Sequence, residues 1–132
     1  MVSEALNYLG NPYVYGKNDL INGTDCSGYT QQVHLNCGIT ISRKSVDQYT
    51  KSSHHLQRTE LQPGDLVFYS RTKYSSGIHH VAFYAGKICI PQGNQITYYD
   101  NQIVHAATSD EGIKYSSIDG SSGTQFYATY WR

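Results

Sequence analysis

Three cysteines and six histidines are the side chains of this sequence whose chemistry extends beyond packing, and one cysteine is placed to react. In GTDCSGYTQQVHLNCG, residues 23–38, Cys26 follows Thr24 and Asp25, either of which can cap a helix. Cys26, Tyr29, Val33 and Cys37 then recur at helical spacing until Gly38 ends the run. Cys26 therefore falls at a helix amino terminus. Unpaired N–H groups and the positive end of the helix dipole favour a thiolate there, which predicts a lowered pKa and makes Cys26 the reactive thiol. The same N–H groups suit the oxyanion that forms when a thiolate attacks a carbonyl. Spacing alone also fits a packed, inert cysteine, so the chemistry requires a base.

His34, His54 and His55 lie on or near helices and loops, whereas His79, His80 and His105 lie in strand-like stretches and are the better candidates. Along GIHHVAFYAG, alternation groups His79 with Val81 and Phe83, and His80 with Ala82 and Tyr84. One of the two can face the helix that carries Cys26; the pattern does not choose between them. His105, in QIVHAAT, can orient the base through a ring hydrogen bond. A structural zinc site is the competing use of these residues. However, there is no Cys-x-x-Cys and no His-x-x-x-His, and the members of the pairs His54-His55 and His79-His80 point apart. No metal and no cofactor are expected.

The elements that must hold these residues divide along the chain. Ser3 is predicted to cap a short helix carrying Ala5, Leu6 and Leu9, ended by Gly10 and Pro12; NPYVYGKND reads as an aromatic loop. A third helix is expected at about Ser45 to Lys51. From there the pattern changes to short β-rich runs: DLVFYS, HHVAFYAG, KICI, QITYY, QIVHAAT and FYATYWR, with a mobile loop at 118–124. Helices first and strands second predict an α+β domain with an antiparallel sheet.

Composition bounds the partners. Ten basic and ten acidic residues cancel and no Lys/Arg cluster stands out, which argues against nucleic acid. No run approaches the roughly 18 apolar residues that cross a bilayer, so no membrane insertion is expected. The start MVSEALNYLG lacks the charged and apolar regions of a secretory signal, so it is not expected to act as one. An odd cysteine count leaves at least one thiol free. Cys26 and Cys37 on one helix would stand roughly 16 Å apart, beyond the reach of a disulfide. Cys89 is expected to be a small buried apolar residue.

With these motifs in hand, the sequence resembles the NlpC family of papain-like cysteine peptidases, which cleave peptidoglycan stem peptides. YLGNPYVYGKND, GTDCSGYTQQV, ITISRKSVDQY, LQPGDLVFYS, HHVAFYAG and IVHAAT are similar to successive blocks of that family, in family order, over most of residues 5–108. The resemblance implies a papain-like fold, with amino-terminal helices packed on the sheet. It implies Cys26 as nucleophile, His80 rather than His79 as base, and His105 as third polar residue. It further implies that Tyr13, Asp25, Ser27 and Arg43 line the substrate cleft, where an ammonium and a carboxylate of the stem would meet opposite charges. Asp25 as a simple helix cap and Arg43 as a solvated charge are the alternatives.

The expected function is that of a D,L-endopeptidase cutting between γ-D-glutamate and the diamino acid. A related amidase or acyltransferase with the same site, or an inactive wall-binding domain, are the rivals. The resemblance also implies one domain over 1–132 that belongs to a larger multidomain protein, located outside the cell or in the cell wall. Departures from the family include Tyr15, where tryptophan is commoner, Lys17, where a second glycine is common, and a longer segment from Lys87 to Gln102.

Overall fold

A computed structural model describes all 132 residues. The first helix, α1 (Val2–Leu6), is capped by Met1, and Ser3 lies inside its first turn with no capping bond, contrary to expectation. Leu9 falls beyond this helix and is exposed, so only Ala5 is buried from α1. A small antiparallel hairpin, β1 (Asn18–Asp19) and β2 (Gly23–Thr24), then delivers the chain to α2 (Cys26–Asn36). Asp25 caps α2: its backbone is extended and its Oδ1 accepts the Gly28 N–H at 2.8 Å. A third helix, α3, spans Ser45–Thr50.

A six-stranded sheet follows, built from β3 (His54–Leu56), β4 (Leu66–Ser70), β5 (Ile78–Gln92), β6 (Gln95–Ala106), β7 (Ile113–Ser117) and β8 (Thr124–Thr129). The order is β3-β8-β4-β5-β6-β7, with every neighbouring pair antiparallel. The α+β class is therefore as the sequence predicts. KICI and QITYY are not separate strands; they are the outer halves of β5 and β6. Gly86, at φ +71°, sits where the β5–β6 register shifts, and a bulge there bends the ladder without ending it. The two strands join through Gly93-Asn94, a two-residue connection between the paired Gln92 and Gln95. The short strands β3 and β7 carry too little apolar alternation to stand out in sequence.

The helices cover one face of the sheet. Tyr29 and Val33 of α2 pack there with Leu66 and Phe68 of β4, Val81 and Phe83 of β5, and Val104 of β6. Alternate residues of the same strands, Val67, Tyr69, Ala82 and Ile103, form a smaller cluster with Ile118 on the opposite face. A fully buried Phe or Leu in such a core contributes roughly 1.5–3 kcal/mol, so the anchor of α2 on β5 rests on several of these contacts. Its consequence is positional: the start of α2 is pressed against the start of β5.

Candidate active site

Cys26 opens α2 and is half-buried, packed against the main core. Its thiol lies at the backbone N–H groups of Val81 and Ser27. The Val81 contact arises because β5 and β6 pair only from Phe83–Val104 outward, so the first residues of β5 have no partner on that side. Burial pushes the Cys26 pKa up, and the pull of those two N–H groups does not reverse it. The expected low-pKa thiolate is thus corrected: the resting group is a thiol, because the desolvation that comes with its packing outweighs the helix terminus. All three cysteines are free, and Cys26 and Cys37 are unpaired as their spacing predicts. Cys89 is exposed on the outer half of β5 and is not the buried residue expected.

Cys26 lines a cleft of about 520 Å³ with Tyr13, Asp25, Ser27, Arg43 and His79 among its walls. The four residues that the resemblance assigned to substrate binding are thus brought together beside the thiol. Three of them, Asp25, Ser27 and Arg43, form one network. Arg43 reaches Asp25 Oδ2 at 2.9 Å, donates to Ser27 Oγ at 2.8 Å, and donates to the Lys17 carbonyl at 3.1 Å. Asp25 also accepts from the Gly16 N–H at 3.0 Å and from Gly28. Asp25 is therefore a helix cap, as the alternative reading had it, and its other oxygen is matched by the Arg43 cation. Arg43 is not a solvated charge. Gly28 is demanded by this packing, because a Cβ there would stand 2.5 Å from the Lys17 carbonyl oxygen.

Gln48 holds the network in place and escapes a sequence reading, since a glutamine in a short helix normally faces water. It is fully buried; its amide donates to the Ser27 and Ser42 carbonyls at 2.9 Å each, and it accepts from Thr30 at 2.7 Å. These bonds tie α3 and the loop bearing Arg43 to the first turn of α2.

His80 and His105 meet on neighbouring strands. His80 Nε2 and His105 Nδ1 share a hydrogen bond of 2.7 Å, and His105 Nε2 meets Ser116 Oγ at 2.9 Å. Burial, followed by the charges of His105 and His79, lowers the His80 pKa to about 3. Burial and then Lys114 lower that of His105 to about 4, against a smaller opposing effect of Glu111. Both rings are neutral at neutral pH. His79 is exposed and lines the Cys26 cleft as well as a second one beyond His80. Cys26 is hydrogen-bonded to neither ring of the pair; it reaches the backbone of Val81, the residue after His80. Ser116 is the other residue that sequence reasoning missed. Had β7 been recognised, alternation would have put Lys114 and Ser116 on the face of His105.

No group of three or more His, Cys, Asp or Glu side chains is placed to hold a metal ion, and no helix is long and apolar enough to cross a membrane.

A fold of helices on an antiparallel sheet, with a cysteine at a helix start beside a paired histidine strand, defines a papain-like class of domain. The chain belongs to the NlpC/P60 family, whose sequence pattern matches residues 10–132. It is 36% identical over 132 residues to a probable endopeptidase p60 of Listeria seeligeri, covering all of this chain and 21% of that protein. It is 32% identical over 132 residues to the bifunctional muramidase/DL-endopeptidase CwlT of Bacillus subtilis, again over the whole chain and 33% of that protein. The crystal structure of the NlpC/p60 domain of the peptidoglycan hydrolase SagA superposes with a TM-score of 0.76 at 29% identity, covering 97% of this chain and 94% of that one. The chain thus spans a fifth to a third of the length of these two curated relatives.

Proposed function

We propose that this domain is a cysteine peptidase that hydrolyses peptidoglycan stem peptides, as a D,L-endopeptidase at the bond between γ-D-glutamate and the diamino acid. The observation that carries this reading is the chain His80–His105–Ser116 set beside the Val81 N–H that contacts the Cys26 thiol. With Nε2 of His80 committed to His105, Nδ1 is the nitrogen free to take a proton. That assigns Nε2–H of His80 as donor to His105 and Nε2–H of His105 as donor to Ser116 Oγ. The names of the relatives, an endopeptidase and a DL-endopeptidase, support the bond class.

Cys26 Sγ attacks the scissile carbonyl while its proton passes to His80; with thiol and imidazole both neutral at rest, concerted transfer suits the step. The C–N bond then breaks as His80 returns the proton to the leaving amine. Water, deprotonated by His80, cleaves the thioester and restores the thiol, with the carboxylic acid as second product. N–H groups at the α2 terminus suit the developing oxyanion. The cleft of Tyr13, Asp25, Ser27 and Arg43 holds the acyl half. Activity needs no metal or cofactor on this route, and the expected setting is the cell wall, with the domain joined to others in its parent protein.

Incubating the chain with purified sacculi and identifying released fragments by mass spectrometry tests this. Fragments ending in D-glutamate, abolished by a thiol alkylator and unaffected by a chelator, are expected. Cleavage at another bond would move the domain to the amidase reading, and intact sacculi to the binding one.

A further inference from the structure

Two clefts flank His79, and they differ in chemistry. The one at Cys26 carries the fixed Asp25–Arg43 pair. The other, of about 460 Å³, opens on the far side and is walled by His80, His105, Ser116, Ser121, Glu111 and Lys114. In thiol-mediated amide cleavage the carbonyl carbon bonds to sulfur while the nitrogen takes its proton from the base. The acyl half therefore extends from the cysteine, and the amine half from the histidine. On that logic the second cleft lies on the side of the leaving amine.

Its lining is almost wholly polar and holds one cation and one anion, Lys114 Nζ lying 2.5 Å from Glu111 Oε2. Both side chains are about half exposed, at 40% and 47%, so a ligand can reach either charge. β7 pairs Lys114 directly with His105, which places this ion pair next to the dyad and not elsewhere on the surface. Lys114 and Glu111 also act on the His105 ring with opposite sign, as neighbours must.

We propose that this second cleft is the subsite for the leaving diamino residue, and that Lys114 and Glu111 together read a side chain ending in an ammonium and a carboxylate, as in diaminopimelate. The proposal rests on the peptidase reading above. A zwitterionic end exchanges partners with the Lys114–Glu111 pair and leaves no charge unmatched. The lone ammonium of a lysine satisfies Glu111, but it takes that carboxylate from Lys114 and places two cations side by side. Exposed pairs of this kind contribute up to about 1 kcal/mol, roughly a fivefold preference.

The test is kcat/KM for L-Ala-γ-D-Glu-meso-diaminopimelate and L-Ala-γ-D-Glu-L-Lys, with wild type, Lys114→Gln and Lys114→Arg, folding being followed by circular dichroism. Wild type should favour the diaminopimelate peptide roughly fivefold, mainly through KM. Lys114→Gln should bring the ratio toward one, and Lys114→Arg should keep it. Equal rates on both peptides in the wild type, a preference for lysine, or an unchanged ratio in Lys114→Gln would overturn the subsite assignment while leaving the peptidase standing. Cleavage of neither peptide, with sacculi also intact, would overturn both.

Discussion

The inner and outer halves of β5 and β6 belong to the same two strands but have opposite fates. The inner half, Ile78 to Ala85 of β5 and Ile103 to Ala106 of β6, buries Val81, Phe83, Val104 and Ala106 beneath the helices and carries His80 and His105. The outer half, beyond Gly86, leaves Ile90, Ile96, Tyr98 and Tyr99 exposed. Both halves contain β-formers and both are paired, the inner half of β5 chiefly with β4 and the outer half with β6. Only the inner half is covered. Strand pairing therefore does not make a site; a site needs the second layer, which fixes side chains and removes them from water.

The sharpest test of that difference is at the thiols. Cys26→Ala should abolish turnover with the fold retained by circular dichroism, whereas Cys89→Ser on the outer half and Cys37→Ser should keep it. Because burial raises the Cys26 pKa and the other two thiols are exposed, limiting iodoacetamide is expected to mark Cys37 and Cys89 readily. Loss of activity should follow Cys26 modification alone and should speed up as pH rises.

The adjacent histidines come next. His80→Ala should lower kcat/KM by about 10²–10⁴, the range for a general base, and His79→Ala by far less. Equal losses in both would mean that His79, which lines both clefts, takes part in the chemistry.

The inner half should also be the acid-sensitive one. His34, fully buried and stacked on Phe83 at 5.4 Å, has its pKa lowered by burial to about 4. Its Nδ1 is bonded to the Thr30 carbonyl while Nε2 has no partner. Above the unfolded value of about 6.5 the ring is neutral in both states and costs nothing; between there and about 4 only the unfolded chain binds the proton. Stability should fall by roughly 3 kcal/mol as pH drops through that window, read as a declining urea midpoint. His34→Leu should flatten the decline, though not fully, because His80 and His105 are depressed in the same direction.

A smaller effect is expected at Ser116, which acts through His105. Ser116→Ala should reduce kcat by about tenfold, from the loss of roughly one net hydrogen bond, with KM little changed, and Ser116→Thr should restore part of it. A matching rise in KM would assign Ser116 to substrate binding instead. The least effect belongs to the outer hairpin: replacing Cys89–Tyr98 by Asn-Gly should leave kcat/KM on a soluble stem peptide within about twofold, the exposed positions being within ±0.5 kcal/mol. A large loss would show that the hairpin reaches the substrate.

The sequence carried the helix start, the cap and the helical spacing that put Cys26 at the head of α2, because these are local: a carboxylate one residue before the helix, and an apolar stripe within it. It carried the strand positions of His80 and His105 for the same reason, and the resemblance added their pairing, which no local pattern contains. It did not carry the state of the thiol, since the helix terminus is a property of eleven residues but the desolvation comes from β5, far along the chain. Nor did it carry Ser116 or Gln48, whose partners lie across a strand pair and a helix contact. Asp25 shows both sides. Its capping bond to Gly28 was legible three residues away, while the Arg43 that neutralises it arrives only when the buried amide of Gln48 draws the next loop against the helix. Short-range order follows from propensity and spacing; charge state and hydrogen-bond partners follow from which surfaces exclude water, and that is decided only when the layers close.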